Sequence, residues 1–119
     1  MTRISLLTAS LLIVSTQCLA EVSSSRQTEL MYFLKHDCGS CHGMTLKGGL
    51  GPALLPETLA GKPRTLLVTT IMEGRQNTAM PPWKGMLSYD EASWITDQLL
   101  TGTVTQTEVA SESTPRSTP

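Results

Sequence analysis

Two thiols and an imidazole lie close together in Cys38-Gly39-Ser40-Cys41-His42. The spacing C-x-x-C-H is that of covalent haem attachment. On one helical turn, thiols at i and i+3 can each add to one of the two haem vinyl groups, and the next residue carries its imidazole under the iron. One short peptide then supplies three bonds that keep the cofactor from dissociating. Other chemistries fit less well. A zinc site could use Cys38, Cys41, His42 and His36, but tetrahedral sites usually draw a second ligand pair from a distant segment. The chain has only two histidines, so no such pair exists. A thioredoxin-like C-x-x-C belongs in a βαβ pattern, which the sequence lacks. A structural disulfide would leave His42 unexplained.

A haem attached here has a sixth iron position, whose occupant separates electron transfer from catalysis. Met44 is too near His42 in sequence to reach the opposite face. Met72 falls inside an expected helix, where methionine commonly fills a core. Met80 and Met86 remain. Asn77 to Trp83 contains Pro81-Pro82, which forbids helix and holds the chain extended, so a thioether at Met80 is held at a fixed place and is favoured over Met86. Imidazole with thioether raises the reduction potential, and two filled axial positions limit reorganisation, which suits single-electron transfer. Peroxidase or oxygen chemistry needs a distal acid or base, and only His36 is left to provide one. A histidine in the last turn of a helix is already favoured by the dipole. His42 also needs an acceptor for its second nitrogen. The carbonyl of Pro52, in Gly51-Pro52-Ala53-Leu54, is the candidate, although Gly-Pro also reads as a simple turn.

These residues need elements to place them. Ser25 to about His36 reads as an amphipathic helix with Leu30, Phe33 and Leu34 on one face and Met31 beside them, capped by Ser24 or Ser25. It leads straight into the cysteine motif. Gly43, Gly48, Gly49 and Gly51 then break regular structure and allow close backbone approach to a flat group. Pro56 to Ala60 suits one helical turn, stopped at Gly61. Pro63 at a first helical position opens the next helix, with Leu66, Leu67, Ile71 and Met72 as its apolar stripe and Gly74 as a left-handed stop. Val68, Thr69 and Thr70 alone would allow a strand, but caps and length favour helix. Ser88-Tyr89-Asp90-Glu91 is a capping box. It opens a helix through Leu100 that buries Trp94, Ile95 and Leu99, with Gly102 at its end.

The chain of 119 residues allows one small all-α domain of three to four helices around one covalent haem. Its ends are of another kind. Residues 1–20 read as a cleaved signal peptide, with Arg3 before an apolar run from Ile4 to Val14 and Cys18-Leu19-Ala20 before the cut. The run is too short to span a bilayer. An uncleaved anchor is the lesser reading, as is lipidation at Cys18, which the large Gln17 disfavours. Cleavage after Ala20 removes the third cysteine and leaves Cys38 and Cys41 alone. The export signal and the haem motif agree on a periplasmic place. Residues 21–100 form the haem domain. Residues 101–119, eleven of them Ser, Thr or Pro, read as a disordered tail. The processed chain carries eight Lys or Arg against ten Asp or Glu, which argues against a nucleic-acid partner. After signal cleavage the expected form is a monomer with no stable membrane insertion. Lys35, Lys47, Lys62 and Lys84 could steer an acidic redox partner to an exposed haem edge, although each also reads as a solvated charge.

This order of motifs resembles the class I c-type cytochromes over residues 25–100. The resemblance implies haem ligation by His42 and Met80, thioethers at Cys38 and Cys41, a histidine-orienting carbonyl at Pro52, and first and last helices that cross, bringing Leu30 and Phe33 toward Trp94. Cys38 to Leu54 and Met80 to Trp83 are similar, more narrowly, to the small cytochrome c-55X or NirC-type proteins. That likeness implies a periplasmic electron carrier in denitrification, acting as donor to a cd-type nitrite reductase. The alternative is a redox role in maturing that enzyme's haem d.

Overall fold

The computed structural model describes residues 21–104. The expected signal peptide and residues 105–119 of the expected tail lie outside this range. All regular elements among the described residues are helical. Helix α1 (Ser24–Phe33) starts at Ser23, whose hydroxyl accepts from the Arg26 N–H. The cap is therefore one residue earlier than expected, because any of three successive serines can supply the oxygen. Leu30 and Leu34 are fully buried, while Phe33 and Met31 pack at the edge of the core.

The first helix does not stop at His36. It passes through one π turn (Leu34–Cys38) into α2 (Gly39–His42), so a continuous helical path carries the cysteine motif. Short π segments inside helices are frequent at functional sites. Here Leu34 and Gly39, five residues apart, are both buried. Gly39 lies against Met44, where an added Cβ would come 3.4 Å from the Met44 Cα.

After a loop, α3 (Pro56–Leu59) forms the expected single turn and buries Leu59. Helix α4 (Arg64–Glu73) has Pro63 as its cap residue, one place before the expected position. Its fully buried residue is Val68, whereas Leu66 is half exposed, which corrects the expected stripe. The β-branched residues were a reason to consider a strand; instead, one of them fills the core. Gly74 ends the helix at φ 67° but ψ −166°, outside the left-handed helical basin. A Cβ there would lie 2.6 Å from the Pro81 carbonyl carbon and 2.7 Å from the Met80 oxygen, so only glycine lets the next loop cross the helix end.

Helix α5 (Tyr89–Thr101) opens with the expected capping box: the Ser88 hydroxyl accepts from the Glu91 N–H, and the Glu91 carboxylate accepts from the Ser88 N–H. Ile95 and Leu99 are buried as expected, and Trp94 is half-buried. Ala92 and Thr96 join the buried face, with the Thr96 hydroxyl donating to the Ala92 carbonyl. Gly102 closes the helix in the left-handed conformation. Val104, four residues past Leu100, is buried in the core. Arg26 ties α1 to α5 through Glu91 at 2.6 Å. Phe33 takes Trp83 as its ring partner, edge to face at 5.0 Å, where the family resemblance implied Trp94. The core is completed from loops by Leu46 and Leu87.

Candidate functional site

The π turn and α2 deliver Cys38, Cys41 and His42 to one side of a cavity of about 710 Å³. Both cysteines are free thiols and half-buried. Burial, with the Asp37 carboxylate and Cys41 acting in the same direction, pushes the Cys38 thiol up to about 12. Among the described residues no three His, Cys, Asp or Glu side chains are grouped to hold a metal ion.

The loop after His42 folds back onto the helix end. The N–H of Gly48 donates to the His42 carbonyl and that of Gly51 to the Cys41 carbonyl, each at 2.8 Å, supplying donors that the end of a helix lacks. The fold-back brings Gly51 against the imidazole, where a Cβ would lie 2.7 Å from Cε1. It also brings the Pro52 carbonyl 2.6 Å from His42 Nδ1. A carbonyl can only accept, so Nδ1 carries the proton and Nε2 is left with a free lone pair for a ligand bond.

A second loop supplies Met80. Pro81 and Pro82 have no N–H, so the first donors after Met80 are Trp83 and Lys84. They reach the Ile71 and Met72 carbonyls at 3.1 and 3.3 Å and satisfy the open end of α4. The loop is thereby pinned at its far side. Met80 is half-buried and lines the cavity that Cys38, Cys41 and His42 also line. Met86 is 61 % exposed and does not line it. Met44 and Met72 do not line it either. The geometry therefore brings together the five residues singled out from sequence, namely Cys38, Cys41, His42, Pro52 and Met80. His36 stays outside, stacked on exposed Tyr32 with ring centroids 4.1 Å apart.

Leu54, Leu59, Leu67, Ile71, Ile95 and Leu99 give the remaining wall much of its apolar character. A cavity of this size and lining takes a largely apolar organic group. A flat macrocycle joined to the two thiols fits it, with the free Nε2 of His42 and the Met80 sulfur as donors. Sequence reasoning missed Lys62 and Arg75 as residues of the cavity. From sequence Lys62 reads as one of four lysines that could steer a partner or as a solvated charge, and nothing local distinguishes Arg75, which directly follows the helix-ending Gly74.

Comparison with known proteins agrees with this chemistry. The chain is 45% identical over 100 residues to a cytochrome c55X of Stutzerimonas stutzeri, covering 84% of this chain and 88% of that one. The chain belongs to the cytochrome c55X family. A cytochrome c55X of Pseudomonas aeruginosa is 57% identical over 79 residues, 66% of each chain, so the match spans just under two thirds of that relative. One from Paracoccus denitrificans is 40% identical over 89 residues. The solved structure of a c-type cytochrome NirC matches with a TM-score of 0.68 at 55% identity, covering 69% of this chain and 96% of that one. The wider family profile described as "Cytochrome C oxidase, cbb3-type, subunit III" matches residues 26–97. A cytochrome c55X is a small all-α, class I c-type cytochrome that carries electrons on covalent haem c, and the Cys38 and Cys41 pair is present for it here. Among the described residues no helix is long and apolar enough to cross a membrane.

Proposed function

We propose that this cytochrome carries single electrons in the periplasm during denitrification, as donor to a cd-type nitrite reductase, and performs no substrate chemistry of its own. The observation that carries the redox part is the meeting of the C-x-x-C-H peptide and Met80 in one apolar cavity. Haem c, when bound, supplies a reversible one-electron couple. Cys38 and Cys41 would hold it by thioether bonds, and His42 and Met80 would supply a nitrogen and a sulfur donor to its iron. The Pro52 carbonyl fixes the His42 ring and its tautomer. Helices α4 and α5 contribute Leu67, Ile71, Ile95 and Leu99 to the cavity wall, and the two proline residues after Met80 keep its loop from yielding. A closed ligand set of this kind leaves no open position for oxygen or peroxide. The periplasmic place follows from the export signal read in residues 1–20, and the nitrite reductase partner from the names and likeness of the relatives.

Of the four lysines considered for steering, Lys84 is already paired with Glu73 at 2.6 Å.

The ligand part is tested by the visible spectrum with carbon monoxide. The parent protein and Met86→Ala remain indifferent to the gas, while Met80→Ala binds it. Binding by the parent would overturn the closed site. The partner part is tested by mixing reduced protein with oxidised cd-type nitrite reductase. Rapid electron transfer followed by nitrite turnover supports the donor role. A deletion strain whose reductase lacks haem d would instead place the protein in cofactor maturation.

A further inference from the structure

Several basic residues of the described chain already have acidic partners. Arg26 is bonded to Glu29 and Glu91, Arg64 forks onto Asp97, and Lys84 meets Glu73. Lys62 and Arg75 line the cavity and have no acidic partner among the described residues. Asp37 is the one carboxylate that lines the same cavity, and neither of these cations bonds to it. Two cations without counterions beside an apolar wall suit a ligand with an apolar body and two anionic groups. The haem macrocycle has that composition, with two propionate carboxylates.

We propose that Lys62 and Arg75 hold the two haem carboxylates, and that Arg75 is through this contact a positioning residue for Met80. The inference rests on the haem reading of the cavity given above. Its second half comes from the backbone. The Arg75 N–H donates to the Met80 carbonyl at 3.2 Å. The Arg75 carbonyl accepts from the Thr78 N–H at 3.2 Å and from the Thr78 hydroxyl at 2.8 Å. The same hydroxyl accepts from the Met80 N–H at 3.3 Å. Arg75, Thr78 and Met80 therefore form one closed hydrogen-bonded unit, and a carboxylate that fixes the Arg75 side chain also restrains the unit that presents the thioether. Lys62 lies in the turn before α4, where its N–H donates to the Leu59 carbonyl. It has no bond to the Met80 loop, so the two cations differ in what they control.

The experiment uses the haem-loaded full chain with Lys62→Gln, Arg75→Gln and Arg75→Lys. Each is followed by equilibrium redox titration at fixed pH and by carbon monoxide binding. A cation held against a haem carboxylate disfavours the ferric state, so both glutamine variants titrate at lower potential. The expected change for Arg75→Gln is about tenfold in the ratio of oxidised to reduced protein, or about 59 mV for one electron. Arg75→Lys keeps most of the parent potential. Arg75→Gln binds carbon monoxide, whereas the parent and Lys62→Gln remain indifferent to it.

Identical midpoints for the parent and both glutamine variants would overturn the carboxylate contact. Unchanged midpoints combined with slower electron transfer to an acidic partner at low salt would assign the cations to docking instead. A lowered potential in Arg75→Gln with the parent's indifference to carbon monoxide would overturn the link to Met80. Failure of the haem reading itself is separate, because the parent chain would then be purified without covalently bound haem.

Discussion

Replacing Gly51 by alanine tests the geometry of the site at its tightest point. The new Cβ would lie 2.7 Å from His42 Cε1, 2.8 Å from Nδ1 and 3.3 Å from Nε2. Carbon contacts settle near about 3.5–4.0 Å, so the methyl group arrives close to an ångström too near. The ring cannot turn away without losing the 2.6 Å bond from Nδ1 to the Pro52 carbonyl. The loop cannot withdraw freely either, since the Gly51 N–H is bonded to Cys41. Forcing an extra methyl into such a place costs about 1–3 kcal/mol. The reduced entropy of the unfolded alanine chain offsets about 0.4–1 kcal/mol of this. Gly51→Ala holoprotein should therefore be destabilised by about 1–2 kcal/mol, read as a lower denaturant midpoint at constant slope. Its haem spectrum should also change, because the ring moves. Gly85→Ala is the control, since nothing lies within 4 Å of its added Cβ. The control should be neutral or slightly stabilised. If Gly51→Ala matches it in stability and spectrum, the packing of Gly51 on His42 is refuted.

Other outcomes follow from the same contacts. The Glu91 carboxyl is held below the usual carboxylate range, first by its bond from Arg26 and then by the Ser88 N–H, and Asp97 is lowered by Arg64. Their contribution to stability is complete above the unfolded values near about 4 and is lost as pH falls through the lowered folded values. Both pairs are partly solvated, so each is worth about 0–1 kcal/mol, and Glu91→Gln should flatten the acid limb of a stability-versus-pH curve. Ser88→Ala removes the acceptor for the Glu91 N–H and should cost about 1 kcal/mol in denaturant unfolding. Haem that buries several hundred Å² of apolar surface contributes on the order of 10 kcal/mol as an upper figure, comparable to the whole net stability of a small domain. Haem-free polypeptide should therefore be largely unfolded by circular dichroism, and a cooperative native-like melt would contradict this.

Features built from neighbouring residues could be read from the sequence. The capping box at Ser88 and Glu91 is complete within four residues, and the C-x-x-C-H spacing contains its own geometry. Met80 could be singled out because two prolines stiffen the chain beside it. Features that depend on distant parts of the chain could not be read in the same way. Val68 enters the core and Leu66 stays half exposed because of how α4 lies on α5, and no local pattern fixes that rotation. Leu46 and Leu87 belong to loops whose burial depends on what covers them. Phe33 could have met either tryptophan; it meets Trp83 because the loop after Met80 turns back onto α4. The role suggested for Arg75 was hidden for a similar reason, since it depends on which other cations already have partners.

The π turn before the cysteines bears on how such a peptide can be transplanted. In a regular α-helix each residue advances the direction of its side chain by about 100°. Between Leu34 and Gly39 the buried face recurs after five residues, a longer step than the usual four. A haem-attachment peptide spliced onto a straight amphipathic helix would keep its C-x-x-C-H spacing yet present both thiols about one residue's rotation away from the scaffold's apolar seam. The portable unit is therefore Leu34 to His42, with the overwide turn included, and a designer who moved only the five motif residues would have to insert that extra step by hand.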